Sequence, residues 1–195
     1  MKHEYVFQSF IKTVPIPFSL PPSFDWLFFN SANAVAHFFK NVDTSTISCK
    51  IACIGESTHT ELIKIGKKAH FIGKGSIVEI GVEFAKILGA KIVLIPCSNR
   101  SAQSIQQNLP VHQVIQKVIY NTVFCDVTIT NIDAVFFTSP SNVMAFNSVN
   151  SFPNQVFAIG ETTKAALLKK NITSVEANDY QSQTWIEFLE SYPLE

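Results

Sequence analysis

An α/β architecture of two similar lobes, each a parallel sheet flanked by helices, is predicted by three features of the sequence. Short apolar runs rich in β-branched and aromatic residues alternate with stretches of helical spacing along most of the chain. Two kinds of strand-to-helix turn, one on serine and one on glycine, follow each other in a fixed order. That order (strand, Ser turn, helix, strand, Gly turn, helix) occurs twice, which favours two lobes over one sheet.

The glycine turn is clearest over residues 156–167. An apolar run stops at Gly160, and Thr162, Thr163 and an Ala/Leu series continue with helical character. The glycine is read as a backbone position that other residues resist. The threonine hydroxyls fall where a helix has spare N–H donors, and such a turn favours anions. Residues 51–62 repeat the pattern, with Gly55, Glu56 and Thr58 matching Gly160, Glu161 and Thr163. The serine turn likewise has two copies, Asp25 to Val35 and Asp133 to Val143.

Taken in order, residues 4–14 alternate as a strand before Pro15, Pro17 and Pro21-Pro22 make a stiff linker. Strands are expected at 26–29, 50–54, 71–72 and 91–95, the last closed by Pro96, and an extended run at 114–122 with a further stretch at 124–130. Helices are expected at 33–39, 57–65, 76–88 (stopped by Gly89) and 101–108. The second copy runs from Asp133 to Leu189 and ends in a helix around Thr184 to Ser191. A strand at 4–14 has no partner before the linker. This predicts a discontinuous lobe, 1–17 with 124–195, around a continuous one, 20–122, joined by a two-stranded hinge near Pro17 and Thr122.

With 195 residues, 47% of them apolar and 15% charged, the chain has core enough for one large or two small domains. Its net charge of zero argues against nucleic acid held by general electrostatics. No apolar run approaches about 20 residues, and no charged-then-apolar leader opens the chain, so a cytoplasmic protein with no membrane partner is expected. Cys49, Cys53, Cys97 and Cys125 lie in or beside apolar strands without a histidine cluster, which suits buried free thiols rather than a metal site.

Several motifs imitate chemistry and fail. Gly73-Lys74-Gly75-Ser76 has Lys68 and Gly75 where a phosphate loop needs Gly and Ser or Thr. Gly55-Glu56-Ser57-Thr58-His59 lacks the second glycine of a nucleophile elbow, and no strand is followed by a dinucleotide fingerprint. His59 reads as an exposed helix-terminal histidine ahead of the alternative, a functional acid, and the other histidines are isolated. Tyr120 ends the 114–122 run at the proposed hinge. Its hydroxyl either faces the space between lobes or is tied down in the core.

Together these stretches resemble the uroporphyrinogen-III synthase family, from about residue 5 to the end. The matching elements are residues 28–35, 54–58, 94–99, 118–122, 136–141 and 158–163, with the Phe137-Thr138-Ser139-Pro140-Ser141 and Ile159-Gly160-Glu161-Thr162-Thr163 pair the most specific. The resemblance implies an active site in the interlobe cleft, no metal and no organic cofactor, and a small-molecule tetrapyrrole substrate for a monomer. Hydroxymethylbilane would lose its terminal hydroxyl as water, and the resulting azafulvene would join the substituted carbon of the last ring as a spiro intermediate. Inversion of ring D and macrocycle closure would follow. Tyr120 is the candidate proton donor. Ser31, Gly55, Thr58, Ser139, Ser141, Gly160, Thr162 and Thr163 are the candidate substrate-binding positions, at helix N-termini suited to carboxylates.

Three departures stand out. The family's usual opening strand and helix is absent ahead of Glu4, so either Met1 is not the natural start or the first lobe's sheet lacks a strand. Glu56 and Glu161 replace the usual prolines of the Gly turns. Cys97 stands where a basic residue is common, with Arg100 nearby. A non-catalytic two-lobed module for a small anionic ligand, or an inactive relative, is the competing reading.

Overall fold

The computed structural model describes residues 4–101, 105–177, 187 and 189. The chain divides into two compact units, Thr13–Thr122 and Met1–Lys12 with Val123–Glu195. It passes from one to the other twice, inside strand β1 (Ile11–Pro15) and inside strand β6 (Val114–Phe124).

The unit Thr13–Thr122 is built on a six-stranded sheet in the order β1-β6-β5-β2-β3-β4, where β2 is Trp26–Phe29, β3 Lys50–Cys53, β4 Phe71–Ile72 and β5 Val93–Ser98. The pairs β2/β3, β2/β5, β3/β4 and β5/β6 are parallel. All four residues of β2 are buried, as expected of a strand covered on both faces. Leu27 and Phe29 join one core cluster with Val35, Phe38 and Leu62 of helices α1 (Ala32–Asn41) and α2 (Glu56–Lys64). Trp26 and Phe28 join the other with Ile80, Phe84 and Leu88 of α3 (Ile77–Leu88). Ser76 opens α3 with a reciprocal capping box to Glu79, two orphan donors satisfied at once.

The second unit repeats the theme on a parallel sheet β7-β8-β9 (Ala134–Phe137, Gln155–Ala158, Val175–Glu176). Helices α4 (Pro140–Val149) and α5 (Glu161–Leu168) cover one face, burying Val143, Phe146 and Leu167 against Phe137 and Val156. On the other face Phe157 packs with Leu189 and Tyr5.

Four expectations are corrected. The first strand spans Ile11–Pro15, and it lies beside β6 in the six-stranded sheet instead of joining the second lobe's sheet. Ile16 N–H donates to Ile119 O and Cys125 N–H to Phe10 O, so the two strands run antiparallel. The eleven-residue β6 would otherwise leave a long unpaired edge, which β1 covers. Phe10 just before β1 and Ile11 at its start pack into the second unit's core. Secondly, Pro96 lies within β5 rather than closing it. Past Leu94 only β6 still pairs with β5, so half of the ladder that a proline would interrupt has already ended. Thirdly, where a helix was expected at 101–108, the described residues hold a 3-10 turn, Gln106–Asn108, and residues 102–104 lie outside the described set. Lastly, no strand follows Phe124 before β7. The helix expected around Thr184 to Ser191 lies outside the described residues, apart from Glu187 and Leu189.

Candidate active site

Each unit sets a serine turn and a glycine turn at the carboxyl ends of neighbouring parallel strands. After β2, Ser31 caps α1 with extended backbone (φ −163°, ψ 155°), and its Oγ accepts from Ala34 N–H. After β7, Ser139 caps α4 in the same way (φ −161°, ψ 151°), with Oγ accepting from Asn142 N–H and Pro140 in the first turn. Proline suits that position because its missing N–H is one of the helix's unpaired donors. Gly55 and Gly160 cap α2 and α5 without any side-chain bond, so the first-turn N–H groups receive none from the cap residue.

The glycines themselves need a different explanation from the expected one. Gly55 (φ 177°, ψ −176°) and Gly160 (φ 177°, ψ 177°) are extended, a conformation open to any residue, so strain does not select them. A Cβ at Gly55 would meet only Gly73 O, at 3.9 Å. What glycine provides there is bare backbone beside helix donors. Gly73, by contrast, is sterically required, since a Cβ would lie 2.6 Å from Ile54 O. Its N–H donates to Cys53 O, which seats the loop after β4 against the end of β3.

The candidate hydroxyls divide by burial. Thr58 and Thr163 are each 1% exposed, so they pack on the core side of their helices as scaffold for the turn. Ser31, Ser139 and Ser141 are partly buried and Thr162 is exposed. Glu56 and Glu161 stand in the first turns of α2 and α5, where a carboxylate complements the helix dipole. Glu56 Oε2 lies 3.5 Å from His59 Nδ1. Lys164, one turn into α5, reaches Glu176 at 3.6 Å.

Tyr120 is where the sequence and the geometry meet. Its side chain is only 4% exposed and lies in the core cluster beneath α1. Its hydroxyl is 3.1 Å from Ser31 Oγ, so two candidates from distant parts of the chain meet directly. Burial pushes the phenol up from its ordinary pKa, while hydrogen bonds from Ser31 and Ser98 act the other way. A bulge makes this possible. Cys97 pairs with Val118 but Ser98 pairs with Tyr120, which leaves Ile119 as an extra residue in β6. Strict alternation would send Ile119 and Tyr120 to opposite faces; the bulge brings both to the same core.

Residues to which the sequence gave no role, together with Arg100, the basic residue noted beside Cys97, complete the surroundings. Asn99 N–H donates to Tyr120 O and Asn99 Oδ1 accepts from Thr122 N–H, securing the end of β6. Arg100 Nε donates to Thr122 O, and Asn30 Nδ2 to Ser101 Oγ. His37 of α1 stacks on the Tyr120 ring, centroids 4.7 Å apart and planes 13° from parallel. In the second unit Asn142 Nδ2 donates to Ser139 Oγ, and its Oδ1 accepts from Phe10 N–H. The repeat itself held one signal, because Asn142 stands where the first copy has Ala34. All four cysteines are free, and among the described residues no cluster of metal-ligating side chains occurs. No helix among them is long and apolar enough to cross a membrane.

Comparison with known proteins follows the same lines. The family model described as uroporphyrinogen-III synthase HemD matches residues 2–187. The crystal structure of uroporphyrinogen-III synthetase from Helicobacter pylori is similar at a TM-score of 0.72, with 22% identity over 93% of this chain and 88% of that one. A mutant uroporphyrinogen III synthase from the extremely thermophilic bacterium Thermus thermophilus gives 0.60, with 12% identity over 92% and 84%. At such identities the likeness is one of fold. No curated protein matches the chain.

Proposed function

This chain belongs to the uroporphyrinogen-III synthase family, and on that premise we propose that it closes hydroxymethylbilane to uroporphyrinogen III in haem biosynthesis. The reaction is a cyclising hydro-lyase step with loss of water and inversion of ring D. It runs in the cytoplasm, on a monomer, with a small-molecule substrate and no cofactor. The observation that carries this reading is a family match over nearly the whole chain.

The substrate has eight carboxylates and the protein no net charge, so local donors must hold it. The turns capped by Ser31, Gly55, Ser139 and Gly160 supply them, with Ser141 and Thr162 beside the last two. Each helix terminus contributes about 0.3–1 kcal/mol towards an anion, so binding is shared among several turns.

Loss of water needs a proton at the leaving hydroxyl while the pyrrole nitrogen lone pair expels it. The phenol carries its proton at neutral pH; burial pushes its pKa up, which makes it a weaker acid, and the hydrogen bonds with Ser31 and Ser98 offset part of that. Ser31 Oγ already accepts from Ala34 N–H. With Tyr120 donating to its other lone pair, the serine's own proton is free to point at the substrate. Tyr120 thus delivers its proton through Ser31, and the rigid turn holds that hydroxyl in place.

Incubation with enzymatically generated hydroxymethylbilane tests the function, with type III and type I products separated. The expected result is type III. Type I alone, at the spontaneous rate, would mark the chain as a non-catalytic member.

A further inference from the structure

We infer that His37, anchored by Thr13, is a positioning residue that fixes the Tyr120 ring for proton delivery through Ser31; this rests on the role proposed for Tyr120. One helix grips the tyrosine at two points. Ser31, the N-cap of α1, meets the phenol oxygen, and His37, further along the same helix, lies flat against the ring. His37 Nε2 is in turn 2.8 Å from Thr13 Oγ1 on β1, the strand beside β6. The tyrosine therefore has one flat neighbour across its ring, and that neighbour cannot turn without losing its own bond.

The cost of using histidine there argues for a role. His37 Nδ1 is buried with no hydrogen-bond partner. A phenylalanine would fill the slot without burying an unpaired nitrogen. Nδ1 is least costly as a bare lone pair, so Nε2 carries the hydrogen and donates to Thr13, giving one tautomer and one ring orientation. The repeat supplies a control. The matching position on α4 is Ala145, while Phe38 and Phe146, the next pair along, are both fully buried. The helices are thus packed alike, and only the one whose serine meets a tyrosine carries the imidazole.

The test is a double-mutant cycle in the full chain, read as kcat and KM for type III formation. His37→Ala is expected to lower kcat about 10-fold with KM nearly kept, because a misplaced donor loses rate more than affinity. In a Tyr120→Phe background the same change should have almost no further effect. His37→Phe, which keeps a flat ring and lacks the Thr13 bond, should recover part of the loss, and Thr13→Val should cost about 3-fold. Circular dichroism checks that each variant folds, and His37→Phe serves if His37→Ala does not. An equal fold-loss in both backgrounds, or wild-type kcat in His37→Ala, overturns the positioning role while leaving that of Tyr120 intact. Full activity in Tyr120→Phe removes the reading beneath it, and the inference falls with it.

Discussion

The two serine turns are built alike and used differently. Ser31 and Ser139 have the same backbone angles to within a few degrees and cap their helices through the same N–H. Their remaining hydrogen bonds diverge. Ser31 meets a buried phenol, whereas Ser139 meets Asn142, whose carbonyl holds the backbone of Phe10. One copy of the repeat meets a buried phenol, the proton donor of our proposal, and the other meets a clamp on the incoming chain. A duplicated turn thus supplies the same cap geometry twice, and the residue that touches its hydroxyl sets the two copies apart.

The largest test of that contrast is Tyr120→Phe. It should lower the rate of ring closure by about 100-fold with affinity nearly kept, and release bilane that closes spontaneously to type I. Isomer analysis of the product decides it, and retention of full type III formation would erase the difference between the turns. Next comes Asn142→Ala. Removing the clamp should destabilise the fold by about 1–2 kcal/mol in chemical denaturation and leave kcat unchanged in the surviving native protein. The serines should do less to stability. Ser31→Ala and Ser139→Ala should each cost about 1 kcal/mol as lost caps. Only Ser31→Ala should also slow turnover, by about as much as Tyr120→Phe, because the proton passes through its hydroxyl. Equal kinetic losses would mean that both turns merely bind.

A fourth prediction uses pH. Burial, and secondarily the charge of Lys40, holds the His37 imidazole below its ordinary range. The native state therefore binds fewer protons than the unfolded chain as the pH falls below about 6.5. The stability this represents is full above that value and is lost as pH drops through the folded pKa. Denaturation midpoints measured at neutral and mildly acidic pH should converge in His37→Gln, whereas substitution at Ala145 should leave the wild-type pH dependence in place. The smallest effect belongs to Cys53, whose thiol is pushed up to about 11 by burial and which matches Ala158 in the other copy. Cys53→Ala should leave turnover untouched, and alkylation at mildly alkaline pH should reach the partly exposed Cys49 and Cys125 before Cys53.

The repeated order of strands and turns was legible because its chemistry is local. Serine before a helix and glycine after an apolar run announce themselves within a few residues, and both copies formed where those signals stood. The partner of β1 was not legible, since the 4–17 segment gave no sign that its strand would pair with one about a hundred residues later. Pro96 misled for the same reason: a proline ends a strand only where the neighbour needs its N–H. Tyr120 was legible as a candidate but not its direction, because the bulge at Ile119 shifts the alternation that sequence reasoning relies on. His37 and Asn142 carry no local signature, and their importance exists only once α1 lies over β6 and Phe10 has come back to α4.

The two crossings of the chain also set an order of events during synthesis. Residues from Thr13 to Thr122 leave the ribosome as one uninterrupted stretch and can complete their own compact unit at once. The residues before them emerge first yet find their core last, because Phe137, Val143 and Phe146, against which Phe10 packs, are translated only later. The nascent protein must therefore carry an unsatisfied Phe10 throughout the synthesis of its larger half. Aggregation during expression should trace to that waiting segment, and chaperone dependence should ease when Phe10 is made less apolar, at the expense of the finished fold.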